Sequence, residues 1–97
     1  MNNEFKTYLK NLRLPNGSRL TDRAISTRMS WAEKATTHIG TTLDEAVRTE
    51  MSMFKALTTL AAHPEARVAK ETNAVRHFWT MRHGTKFPRL QNFGIAA

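Results

Sequence analysis

Apolar residues recur along this chain at intervals of three and four, and no stretch alternates apolar with polar side chains. A chain patterned in this way can bury a continuous face only as helices. Phe5, Tyr8, Leu9 and Leu12 form the first stripe, which predicts a helix over residues 4–13 with Lys6, Lys10 and Arg13 off its apolar face. Pro15-Asn16-Gly17-Ser18 ends it, because proline disfavours helical backbone at the preceding residue and Asn-Gly accepts positive φ. Asn-Gly also nucleates hairpins, but neither flank has strand alternation, so no hairpin is expected.

Thr21 is placed to cap a second helix over residues 22–38, with Asp22 in the first turn and Leu20 as the apolar residue before the cap. Ile25, Met29, Ala32 and Ile39, helped by Ala35 or Trp31, make its inner face, and Gly40 ends it. Thr42-Leu43-Asp44-Glu45 has the spacing of a capping box and predicts a third helix over residues 43–62. Its inner stripe is Leu43, Val47, Met51, Phe54, Leu57 and Leu60 or Ala61, and His63-Pro64 closes it. A fourth helix is expected from Pro64 or Glu65 to Arg82, with Gly84 as the terminating glycine. Val68, Val75, Phe78 and Trp79 face inward in it, Phe87 and Leu90 pack back beyond it, and residues 91–97 are expected to be a flexible tail. The expectation is therefore an all-α fold: one domain over residues 1–90, built as a small orthogonal bundle of four to five helices.

The 97 residues suffice for one core, and 40% hydrophobic with 24% charged residues is the composition of a folding domain. There is no cysteine, which excludes disulfides, thiolate metal sites and a cysteine nucleophile. No signal-peptide core or membrane-length apolar run occurs, so the expected setting is cytoplasmic and away from membranes. The four histidines have no i, i+4 partner and no carboxylates at ligand spacing. No paired acids, nucleophile elbow or phosphate-cradling glycine loop occurs. Neither a catalytic site, a metal, a cofactor nor a small-molecule substrate is expected.

The net charge of +7 favours a polyanionic partner, and its distribution carries more information than its size. Residues 1–36 hold seven Lys/Arg against three Asp/Glu, residues 37–66 two against four, and residues 67–97 six against one. A uniform solubility coat would not leave the third helix acidic while loading the second and fourth. The outer surface of the second helix carries Arg23, Thr27, Arg28 and Lys34, and that of the fourth Arg67, Lys70, Asn73, Arg76 and His77. Arg and Lys neutralise phosphates, Asn and Arg read base edges, and Thr bonds to either. Any one of them can equally belong to a solvated helix face; their clustering carries the reading. A protein-interaction module of phage or plasmid type, docking its basic face on an acidic protein, is the alternative. RNA binding ranks third, because no aromatic-rich sheet motif is present.

The order of these motifs resembles the SAM-like N-terminal core-binding domain of tyrosine recombinases and phage integrases. Phe5-Lys6-Thr7-Tyr8-Leu9-Lys10 is similar to its opening helix, Leu20-Thr21-Asp22-Arg23-Ala24-Ile25-Ser26-Thr27-Arg28-Met29 to its second, and Leu43-Asp44-Glu45-Ala46 to the start of its third. Asn73-Ala74-Val75-Arg76-His77-Phe78-Trp79 with Gly84 resembles the last. The resemblance implies duplex contact from Arg23, Thr27, Arg28 and Lys34 on the second helix and from Lys70, Asn73, Arg76 and His77 on the fourth, which with Arg67 are the candidate DNA-binding residues. It does not imply strand cleavage: the arginines, histidine and tyrosine nucleophile of the recombinase catalytic domain have no counterpart here, and Tyr8 lies on an apolar stripe.

Overall fold

The structure, a computed structural model, describes residues 3–88. Its elements are α1 (Asn3–Asn11), α2 (Asp22–Ile39), α3 (Leu43–Ala46), α4 (Glu50–Ala62) and α5 (Val68–His83), an all-α bundle with no strand among the described residues. α2 and α5 make the most extensive helix pair. α1 and α4 each pack against both of them, and α3 packs on α4. No helix among the described residues is long and apolar enough to cross a membrane.

The core is built from the predicted stripes. Phe5 and Leu9 of α1, Ile25, Ala32 and Ala35 of α2, Leu57 and Leu60 of α4, and Val75, Phe78 and Trp79 of α5 are all buried. Phe5 meets the edge of Phe78 with ring centroids 5.4 Å apart, which pins α1 to α5. The helix ends follow local chemistry. Thr21 Oγ1 accepts from Ala24 N–H at 3.1 Å. Gly40 and Gly84 close α2 and α5 at φ 84° and 77°, each donating its N–H to the carbonyl four residues back.

The helix expected over residues 43–62 is instead two helices, broken at Val47-Arg48-Thr49. Thr42 Oγ1 does accept from Glu45 N–H at 3.2 Å. The reciprocal capping box, however, forms one step later: Thr49 Oγ1 accepts from Ser52 N–H and Ser52 Oγ from Thr49 N–H, both at 3.0 Å. Ser52 Oγ also lies 2.9 Å from the Ala46 carbonyl left open where α3 stops. The interruption rotates everything after it. Met51, expected inside, is 63% exposed, and Met53 is fully buried in its place, continuing through Ala56, Leu57 and Leu60. Phe54 is half-buried.

The last helix begins at Val68 rather than at residue 64 or 65, and Val68 is 37% exposed instead of packed inward. No side chain caps it from outside; the Arg67 N–H donates to Glu71 Oε2 at 2.7 Å, so the cap comes from one turn within. The first helix likewise ends at Asn11, short of the expected residue 13. After it, the Pro15-Asn16 turn is closed by Gly17 N–H on Leu14 O and by Leu14 N–H on Ser18 O, both at 2.8 Å. Gly17 takes φ 84° and Arg13 forms one antiparallel bridge with Arg19. This is a hairpin of a single rung, made by the turn residues without strand alternation on either side. Phe87 packs back as expected, buried and edge-on to Trp79 at 4.7 Å. The expectations for Leu90 and the 91–97 tail concern positions outside the described residues.

Candidate nucleic-acid interface

Because α2 and α5 are neighbours, the two basic faces lie side by side. Between them runs a groove of about 470 Å³ lined by Arg23, Thr27, Arg28 and Trp31 of α2 and by Lys70 and Asn73 of α5. On α2 these positions are spaced by three and four, so one helical face presents all of them while Ile25, Ala32 and Ala35 point to the core. Lys34 reaches the same place by another route: its Nζ lies 4.7 Å from the Trp31 ring centroid, and Lys70 Nζ lies 5.3 Å from it. Two cations from different helices thus share one indole, an arrangement worth about 0.5–1 kcal/mol per pair at exposed sites. Its spacing along the sequence marks Trp31 only as a possible core residue. Its half-burial on the groove wall depends on α5 arriving beside it.

A second groove, of about 550 Å³, shares Arg28 and Asn73 with the first and continues past Arg76 and His77 to Tyr8, Arg13, Lys86 and Phe87. Among the described residues, no Asp or Glu lines either groove. Arg13 and Lys86 were not among the sequence candidates. Both sit beside turns, outside the second and fourth helices, where no helical spacing ties them to the basic faces.

Two of the sequence candidates behave differently from expectation. Arg76 does not simply project from the surface: it donates from one guanidinium nitrogen to the carbonyls of Phe87 and Pro88 at 2.8 and 3.2 Å, and lies 5.7 Å from the Phe87 ring centroid. It holds the segment after α5 against the bundle while lining the groove. His77 is half-buried, with Nδ1 3.4 Å from Tyr8 Oη. Burial, and then the charges of Arg28 and Lys86, hold its pKa below the ordinary 6.5, so it is a neutral ring at pH 7. Burial also raises the Tyr8 phenol above its ordinary value. Arg67 stands exposed ahead of α5 and lines neither groove.

Several carboxylates are engaged elsewhere. Glu71, from the basic end of the chain, is fully buried on the core side of α5, where His38 Nδ1–H donates to its Oε1 at 2.6 Å. Glu4 and Asp44 both engage Arg82, at 2.7 and 2.9 Å, and Glu45 lies 3.4 Å from Arg48. The pairing of His38 with Glu71, and the approach of the His63 ring to 4.3 Å from His38, join residues that looked scattered along the sequence. His38 Nδ1 is committed to Glu71 and His63 Nδ1 accepts from Glu65 N–H at 3.1 Å. Among the described residues no group of three His, Cys, Asp or Glu is arranged to hold an ion.

No protein-family model matches this chain, and no curated protein or solved structure was found that matches it.

Proposed function

We propose that this chain is a non-catalytic domain that binds duplex DNA along the α2/α5 face, used in the manner of the recombinase core-binding domains its motif order resembles, and in the cytoplasm. One observation carries the reading. Two grooves joined through Arg28 and Asn73 are lined by cations from α2, α5 and both flanking turns, with no carboxylate lining them among the described residues. Arg13, Arg23, Arg28, Lys34, Lys70 and Lys86 neutralise backbone phosphates, and Asn73 and Thr27 are available for base-edge hydrogen bonds. Such a surface binds by releasing counterions, so affinity depends steeply on salt.

The experiment is a titration of a fluorescent duplex at several salt concentrations. With about six phosphates engaged, affinity falls about a thousandfold between 50 and 200 mM salt. A flat response removes the DNA reading. Retention of an acidic protein from nuclease-treated lysate, with no duplex binding, would favour the protein-docking alternative instead.

A further inference from the structure

The second groove differs in kind from the first. Tyr8, Leu12 and Phe87 give it apolar walls, Arg13, Arg28 and Lys86 surround it, and His77 lines it. The His77 ring has one nitrogen near Tyr8 Oη, while Nε2 has no hydrogen-bond partner among the described residues. We infer that this groove is a phosphate-binding pocket in which Arg28 and Lys86 hold the oxyanion and protonated His77 donates to it, so that phosphate binding and proton uptake at His77 occur together. The inference deepens the DNA reading and rests on it for the source of the phosphate. Arg28 and Asn73 line both grooves, so a duplex over the first presents its backbone to the second.

The groups facing His77 explain the coupling. Tyr8 comes from α1, Arg28 from α2, Arg76 from α5 itself, and Arg13 and Lys86 from the turns; none is acidic. In the unliganded protein burial, and then the charges of Arg28 and Lys86, oppose a proton on the ring. A phosphate between Arg28 and Lys86 offsets the part of that opposition due to charge and offers an acceptor for the new N–H. Linkage is reciprocal, so protonation must favour binding as much as binding favours protonation.

The test follows the ring protons of His77 by NMR across pH in the free protein, with sulfate, and with a short duplex, all at matched ionic strength. Sulfate is a tetrahedral dianion that does not itself titrate in this range. His77 is expected to titrate at higher pH with either ligand than in the free protein. In parallel, duplex affinity is expected to be about tenfold greater near pH 5.5 than near pH 8. His77→Gln should lose most of this pH dependence, whatever its affinity near pH 8. If His77 moves with sulfate but no duplex binds, the pocket stands for free oxyanions and the DNA reading fails. If the duplex binds with steep salt dependence and His77 does not move, the DNA reading stands and the pocket is overturned. An unmoved His77 with both ligands overturns it whether or not the variant folds.

Discussion

Glu71 lies among the basic residues of α5 in sequence, yet its charge is absent from the face they form because its side chain turns to the core. There it accepts from His38 and from the Arg67 backbone, tying α5 to α2 and capping α5 with one carboxylate. Removing one partner from a buried, hydrogen-bonded pair leaves the other uncompensated. Glu71→Ala is therefore expected to cost about 3 kcal/mol, lowering the thermal midpoint by on the order of 15 °C. A loss below about 1 kcal/mol would show that the pair does not hold the helices together. His77 makes the opposite kind of statement. Its pKa lies below 6.5 in the folded chain, so in the window just below 6.5 the unfolded chain binds the extra proton. Stability associated with neutral His77 is intact above that window and is lost as pH falls through it. Denaturant unfolding at pH 7.5 and pH 5 should show a smaller loss on acidification for His77→Gln than for the wild type. Both residues look alike in sequence, as polar positions on a basic helix. Which one is buried, and against what, depends on contacts 33 and 69 residues away in the chain.

At the scale of elements, local chemistry was legible and phase was not. Thr21, Gly40, Thr42 and Gly84 act where their neighbours along the chain placed them, since a cap needs only the amides or carbonyls of the adjacent turn. The break between α3 and α4 is also local, made by Thr49 and Ser52, but Ser is a weaker capping-box partner by pattern than the Glu45 that follows Thr42. Periodicity alone ran straight through it. Met51 and Met53 report the consequence most directly: Met53→Ala is expected to cost about 2–5 kcal/mol, while Met51→Ala stays within about 0.5 kcal/mol. The reverse order, with Met51→Ala the costlier by chemical denaturation, would mean that one continuous helix spans this region. The late start of α5 has a similar origin. Pro64 and Glu65 suit a first turn, but Glu71 reaching back to the Arg67 amide sets the start at Val68.

For the whole molecule, the arrangement of charge matters more than its sum. Cations from α2, α5 and two turns converge on the joined grooves, while Arg82 and Arg48 are paired with carboxylates of α1 and α3. Arg23 and Lys70 are the informative pair to alter, being exposed and on different helices. Arg76 is not, because its carbonyl contacts make a charge reversal there a structural lesion as well. Arg23→Ala with Lys70→Ala should leave thermal unfolding nearly unchanged and lower the salt slope of duplex binding by about two phosphates' worth. An unchanged slope would place the phosphates elsewhere. The sequence by itself determined the all-α class, most helix ends and the two basic faces, because each depends on spacing within a few residues. Only the tertiary structure decided that α2 and α5 are neighbours, that Arg13 and Lys86 join them, and that Glu71 leaves the face. Those outcomes follow from packing between segments far apart in the chain, which no local pattern encodes.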